Sequence, residues 1–215
     1  MPTIIPTITT DSAEVFQHNI TEFQKFSKRI QVDASDGSFA PTTMLPLDQM
    51  TFPEDTTIDL HIMSARPSDH LAKILELKPS LCIIHAEASD DILNFFNQLK
   101  TAGIKTGIAL LKTTFPGKVQ QAIAEADHAM IFAGALGQQG GNIDMMQIEK
   151  VPLIRAIKSD IEVGWDGGIN LSNVRALAHA DIDVLNVGSA ITGASDPAAM
   201  YQSLITESEK KGVLI

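Results

Sequence analysis

The sequence predicts one (β/α)8 barrel that spans residues 1–215, and three observations support this prediction. Short apolar runs alternate with segments of helical periodicity along the whole chain. These runs number eight, which is the strand count of such a barrel. Glycines cluster after the last three runs, where such barrels build a phosphate site at the carboxyl ends of the strands. A doubly wound open sheet is the competing architecture, but it usually has a glycine-rich turn after its first strand.

Several of the eight predicted strands are near-continuous apolar runs of four to six residues. Parallel strands that are covered on both faces usually have this composition. The eight strands are Thr3–Ile8, Arg29–Asp33, Thr57–Ile62, Leu81–His85, Thr106–Leu110, Ala129–Phe132, Glu162–Trp165 and Val184–Val187.

Seven of these strands are followed by a plausible helix. Asp11 can cap the first helix, because Glu14 follows it three residues later. Asp196 and Pro197 open the last helix, where proline loses no hydrogen bond. Pro152 is expected to interrupt the sixth helical stretch. Residues 37–56 contain three prolines and little periodicity, which predicts a loop with at most a short helix.

The composition excludes several classes of protein. The chain is 44% hydrophobic and 20% charged, as ordinary globular domains are. Its net charge of −10 argues against a nucleic-acid partner, which would need a basic surface. No apolar run approaches 18 residues and no secretory signal is visible, so we expect no membrane association. The single cysteine, Cys82, fits a reducing compartment, and we expect a cytoplasmic protein.

Polar side chains at the carboxyl ends of barrel strands point into the active site. This rule selects Asp33, His61, His85, Glu87 and Asp166. Asp33 and Asp166 are expected to face each other across the barrel mouth, where two carboxylates can serve as proton acceptor and proton donor. The structural alternatives are a loop residue or helix cap for each aspartate and a hydrogen-bonded core position for His61.

Three glycine clusters follow consecutive strand ends. They are 134–141, Gly167-Gly168 and Gly188-Ser189. Glycine is the default turn residue, so each cluster alone is a weak signal. Together they predict backbone N–H groups that hold a phosphate.

Five segments resemble motifs of the ribulose-phosphate 3-epimerase family, in order along the whole chain. Val32–Pro41 resembles the family signature at the second strand, and Asp59–Met63 and His85–Ala88 resemble its motifs at the third and fourth strands. Trp165–Asn170 and Asn186–Ile191 resemble the last two strand ends.

The resemblance implies a barrel of the ribulose-phosphate-binding type that inverts C3 of a ketopentose 5-phosphate. It implies an enzyme of carbohydrate metabolism that uses no organic cofactor and holds a divalent metal cation (Zn, Mn, Fe or Mg). Asp33 and Asp166 then become both the acid–base pair and metal ligands, and His61 becomes a histidine ligand. The residues implied to contact the sugar phosphate are Thr7, His61, Met63, Gly140, Gly141, Gly167, Gly168, Gly188 and Ser189.

The chain departs from the family pattern at several positions. Gln31 stands where the family has its second histidine ligand, and an amide oxygen suits hard cations better than zinc-like ions. Retention of the metal is therefore left open, because Gln31 could instead aim an N–H at a developing oxyanion. Thr7 replaces a serine, and Leu111-Lys112-Thr113-Thr114 replaces an Asn-Pro type of motif.

Two other functions compete with epimerisation. An aldolase or decarboxylase reaction on the same barrel is disfavoured, because the sixth strand has no lysine and the third strand has His61 where decarboxylases have lysine. A non-catalytic sugar-phosphate-binding protein would explain Gln31 and the altered loops. The sequence does not fix the oligomeric state, although apolar residues on outer helices are compatible with a homo-oligomer.

Overall fold

Eight parallel strands pair in chain order and close into a barrel in the computed structural model, which describes residues 1–137 and 143–211. Strand β1 pairs with both β2 and β8, which closes the ring. The strands are β1 (Thr3–Ile8), β2 (Arg29–Ser35), β3 (Thr57–Met63), β4 (Leu81–His85), β5 (Lys105–Leu110), β6 (His128–Phe132), β7 (Glu162–Asp166) and β8 (Val184–Val187). The predicted barrel is confirmed, and each strand agrees with its predicted bounds within two residues.

Helices cover the outside of this barrel. They are α1 (Ala13–Phe23), α2 (Leu71–Leu77), α3 (Ile92–Thr101), α4 (Gln120–Glu125), α5 (Lys150–Ile157), α6 (Val174–Ala178), α7 (Ser189–Thr192) and α8 (Pro197–Ser208). Short 3-10 turns occur at Leu47–Gln49, Pro67–His70, Pro116–Lys118 and Met145–Glu149. Across the described residues, no helix is long and apolar enough to span a bilayer.

The main core lies between the outer faces of the strands and the helices. Phe16, Ile20 and Phe23 of α1 are buried, as their spacing of three and four residues predicts. In α3, Phe95, Phe96 and Leu99 make the corresponding contact. Burial of a large apolar side chain contributes roughly 1.5–3 kcal/mol, so these faces fix the helices against the sheet.

Two local expectations are corrected. The side chain of Ser12, and not that of Asp11, caps α1 by accepting from the Val15 N–H. Pro152 does not interrupt α5, because it is the third residue of that helix, where a backbone N–H has no partner within the helix. The expectation for 37–56 is confirmed, since its helical content is the short turn Leu47–Gln49. Asp196 caps α8 by accepting from the Ala199 N–H, as expected.

A polar network closes the amino-terminal end of the barrel. Arg29 contacts Asp59 at 2.8 Å and Glu162 at 2.7 Å. His128 Nδ1 lies 2.7 Å from Glu162 Oε2. Residues at this end of such barrels stabilise the fold, whereas catalytic residues lie at the carboxyl end.

Candidate active site

The carboxyl ends of β2, β3 and β7 bring three titratable side chains together. One ligand atom from each of Asp33, His61 and Asp166 lies within 4.8 Å of the others. The strand register places Asp33 beside His61 on neighbouring strands, whereas Asp166 lies much later in the chain, at the end of β7. Two carboxylates and an imidazole at this spacing can hold a divalent cation or exchange protons with a small substrate.

Asp33 is surrounded by hydrogen-bonding groups. Thr9 Oγ1 donates to its Oδ2 over 2.6 Å, and Gln31 Nε2 donates to its Oδ1 over 2.9 Å. His61 Nδ1 lies 3.1 Å from the same Oδ1. Thr9 and Gln31 together hold the carboxyl group of Asp33 in place at the end of β2.

Gln31 joins the two aspartates. Its amide is fully buried, and Nε2 also donates to Asp166 Oδ2 over 2.5 Å. Its Oε1 is buried and has no hydrogen-bond partner among the described residues. One amide group thus links the two carboxyl groups through its hydrogen bonds.

Asp166 ends β7 and is partly buried. Burial, and then the nearby charge of Asp33, raises the pKa of Asp166 to about 7. The contacts with His61 and Gln31 oppose this rise without cancelling it. Asp166 is therefore partly protonated near neutral pH, and it can donate a proton where Asp33 accepts one.

An open cavity lies over this group. Asp33 and Asp166 both line it. The other lining residues are Thr7, Thr9, Met44, Met63, Phe132, Gly134, Gly137, Gly167, Gly168, Ile169, Asn186, Gly188 and Ser189.

The loop after β7 has a backbone that requires glycine. Gly167 and Gly168 have φ of +110° and +72°, which side-chain-bearing residues rarely adopt. Trp165 Nε1 donates to Gly167 O over 3.2 Å, and Asn173 Nδ2 donates to Gly168 O over 2.8 Å. These contacts hold the loop in one conformation at the cavity wall, and this conformation requires glycine at both positions.

The structure brings six of the predicted substrate contacts to this cavity. Thr7, Met63, Gly167, Gly168, Gly188 and Ser189 line it. His61 is fully buried, is not among the lining residues and contacts Asp33. Gly140 and Gly141 lie outside the described residues.

Sequence reasoning missed several residues that line the cavity, and it gave no role to two strand-end residues near it. Thr9 and Asn186 carry polar groups at the cavity, and Phe132 and Met44 supply apolar wall. Alternation from Thr7 to Thr9 beyond β1 was the available signal for Thr9. His85 and Glu87 were selected as strand-end residues, but nothing in the sequence showed that His85 Nε2 lies 2.9 Å from His61 Nε2.

Burial lowers the pKa of His85 to about 4, so its ring is neutral at pH 7. Burial acts to raise the pKa of Glu87, but contacts with His85, Thr114 and the Leu111 N–H outweigh it and lower that pKa. Glu87 is therefore ionised beside the neutral ring of His85.

Comparison with known proteins gives one family. A model described as the ribulose-phosphate 3 epimerase family matches residues 3–192. Ribulose-phosphate 3-epimerase of Mycobacterium leprae (strain TN) is 30% identical over 182 residues, which cover 81% of this chain and 81% of that protein. The Aquifex aeolicus (strain VF5) protein of the same name is 25% identical, with coverages of 81% and 82%.

Solved structures support the fold. The crystal structure of 3-hexulose-6-phosphate synthase from Salmonella typhimurium superposes with a TM-score of 0.70 and 14% identity. It covers 97% of this chain and 98% of that one. At this identity the likeness concerns the barrel and not the reaction.

Proposed function

The chain belongs to the ribulose-phosphate 3-epimerase family, and from this premise we propose that it inverts C3 of ribulose 5-phosphate to give xylulose 5-phosphate. The enzyme is an isomerase. The observation that carries the proposal is the pair of strand-end carboxylates, Asp33 and Asp166, which line one cavity and share the Gln31 amide. Inversion next to a ketone needs a proton acceptor on one face of the carbon and a proton donor on the other.

Asp33 and Asp166 supply these two groups. Thr9 and Gln31 donate to the Asp33 side chain and orient it, and Asp33 removes the C3 proton. The raised pKa of Asp166 keeps a proton available for the opposite face. Loss of the C3 proton gives an enediolate, and return of a proton to C3 restores the ketone with inverted configuration. In the reverse direction the two residues exchange roles.

The phosphate of the substrate is assigned to the glycine loops. Gly167, Gly168 and Gly188 line the same cavity as the aspartates, with Ser189 beside them. Backbone N–H groups in such loops can converge on an anion, and the Ser189 hydroxyl adds a donor. This end of the cavity would orient the sugar with C3 near the carboxylates.

The donor set at the centre fits a divalent cation. Asp33, His61 and Asp166 would hold it, and a half-turn of the Gln31 amide would replace the two N–H contacts by the unpartnered Oε1. Such a cation would act as a Lewis acid on the substrate oxygens when bound. Three carboxylate and amide oxygens with one imidazole favour manganese or magnesium over zinc.

Gln31→His is expected to raise the association constant for Zn²⁺ at least tenfold, because imidazole is a better zinc ligand than an amide oxygen. Titration calorimetry on the metal-free protein measures it. Gln49→His is the control, since Gln49 is exposed in the loop between β2 and β3 and adds a histidine away from the site. Equal zinc affinity in all three proteins would show that position 31 does not select the cation.

Other reactions on this barrel are disfavoured. An aldolase needs a lysine in the pocket, but no lysine lines the described part of the cavity and Lys112 is exposed. The curated relatives are named as epimerases, which also speaks against a protein that binds without turnover.

Proton NMR of ribulose 5-phosphate with the purified protein in D2O tests the proposal. We expect deuterium at C3 and the appearance of xylulose 5-phosphate, without metal or with added Mn²⁺, Mg²⁺ or Zn²⁺. A folded protein that causes neither change under any of these conditions would contradict the proposed reaction.

A further inference from the structure

Two buried histidines meet beside the aspartate pair, and Glu87 lies beyond them. His61 and His85 are both fully buried, with their Nε2 atoms 2.9 Å apart. His85 Nδ1 lies 3.5 Å from Glu87 Oε2, which is at the outer limit of a hydrogen bond. Glu87 is itself fixed, because its Oε1 accepts from the Leu111 N–H over 3.0 Å. A continuous series of side chains therefore runs from Asp33 to Glu87.

The positions of the two ring protons are linked. A neutral imidazole has one N–H, and a contact between two ring nitrogens needs one donor and one acceptor. If His61 donates from Nε2, His85 accepts at Nε2 and carries its own proton on Nδ1. If His85 donates instead, the proton of His61 lies on Nδ1, toward Asp33.

The two carboxylates at the ends of the series differ in what else satisfies them. Asp33 accepts hydrogen bonds from Thr9 and Gln31, one at each oxygen. Glu87 Oε2 and His85 Nδ1 are buried, and within the described ranges 1–137 and 143–211 neither has a hydrogen-bond partner better placed than the other, at 3.5 Å. A proton on His85 Nδ1 satisfies the buried Glu87 oxygen, which has no other donor among the described residues, and leaves the 3.1 Å contact between His61 Nδ1 and Asp33 Oδ1 free of a proton.

We propose that Glu87, acting through His85, is a positioning residue that keeps the His61 proton on Nε2 and turns the Nδ1 lone pair toward Asp33 and Asp166. The inference rests on the proposed function only for the use of that lone pair, which would bind the cation. Histidines that bind metals usually donate their second ring N–H to a partner that fixes the tautomer. Here that partner is a second histidine, and the carboxylate lies one residue further away.

Nitrogen-15 NMR of the metal-free protein tests the tautomer directly. The signals of His61 are assigned by their loss in His61→Gln. We expect a protonated Nε2 and an unprotonated Nδ1 at His61 in the unmodified protein. A His61 that carries its proton on Nδ1 overturns the proposal, and this measurement needs no variant at Glu87.

Glu87→Gln supplies the second test. The new amide can still accept from the Leu111 N–H and can donate an N–H to His85 Nδ1, which reverses both tautomers. We expect the His61 proton to move to Nδ1 and the Mn²⁺ association constant to fall 10- to 100-fold in titration calorimetry. Glu76→Gln is the control, because Glu76 is exposed and pairs with Lys73 on the surface.

The outcomes separate this inference from the proposed function. Unchanged tautomers and unchanged Mn²⁺ affinity in a folded Glu87→Gln protein overturn the inference, whatever the activity. A protein with the expected tautomers that does not turn over ribulose 5-phosphate contradicts the proposed function and leaves the inference supported.

Discussion

Asp33→Asn and Asp166→Asn are each expected to lower kcat for epimerisation by at least about 10³-fold. An asparagine cannot carry a proton between substrate and solvent, and the reaction needs such a group on each face of C3. Both replacements keep the size of the side chain and one carbonyl oxygen that can accept from Gln31. We therefore expect the fold to survive, and the loss is measured as initial rates with saturating ribulose 5-phosphate.

Asp69→Asn is the matched control for both variants. Asp69 is exposed and forms a surface pair with Arg66 at 3.4 Å, a contact that contributes at most about 1 kcal/mol. The kcat of the Asp69→Asn variant should stay within twofold of that of the unmodified enzyme. If either Asn variant at the centre keeps more than a tenth of the activity, that aspartate does not have the role assigned to it.

Gly167→Ala is the second replacement with a large expected effect. Gly167 has a φ of +110°, and a Cβ there would lie 2.5 Å from Gly134 Cα and closer still to its backbone N. Strained backbone of this kind costs about 1–3 kcal/mol even before the overlap is relieved. The loops that contain Gly134 and Gly167 must then move apart, which disturbs the proposed phosphate site. We therefore expect KM for the sugar phosphate to rise at least tenfold, which corresponds to about 1.4 kcal/mol.

Gly103→Ala separates strain from the phosphate site. Gly103 has a similar φ of +78°, but a Cβ there would meet nothing within 4 Å, and the residue follows α3 away from the cavity. We expect Gly103→Ala to lower the melting temperature and leave KM unchanged. A rise in KM in both variants, or in neither, would contradict the assignment of Gly167 to the substrate site.

The barrel was predictable from the sequence because its signals are local. Apolar runs such as Leu81–His85 are too short for core helices and too apolar for strands that face water, which leaves parallel strands covered on both faces. The strand ends then followed, and with them Asp33 and Asp166. The errors were confined to helix starts: Asp11 and Ser12 are both good caps, and only the backbone geometry chooses between them.

The contacts inside the site could not be predicted in the same way. The sequence places Gln31 two residues before Asp33, so both point into the barrel. Whether a single amide nitrogen can reach both carboxylates depends on the side-chain conformation of Gln31 and on the barrel diameter. The contact of His61 with His85 likewise depends on how two rings from neighbouring strands tilt toward each other, at 43° between planes.

Deuterium exchange by the two aspartate variants tests the central claim most directly, namely that Asp33 and Asp166 act on opposite faces of C3. Each variant is incubated in D2O with ribulose 5-phosphate and, separately, with xylulose 5-phosphate, and deuterium at C3 is followed by NMR. We expect complementary behaviour, in which Asp33→Asn exchanges the C3 proton of one epimer only and Asp166→Asn that of the other only. Exchange of the same epimer by both variants, or of neither epimer by both, would contradict the two-aspartate mechanism.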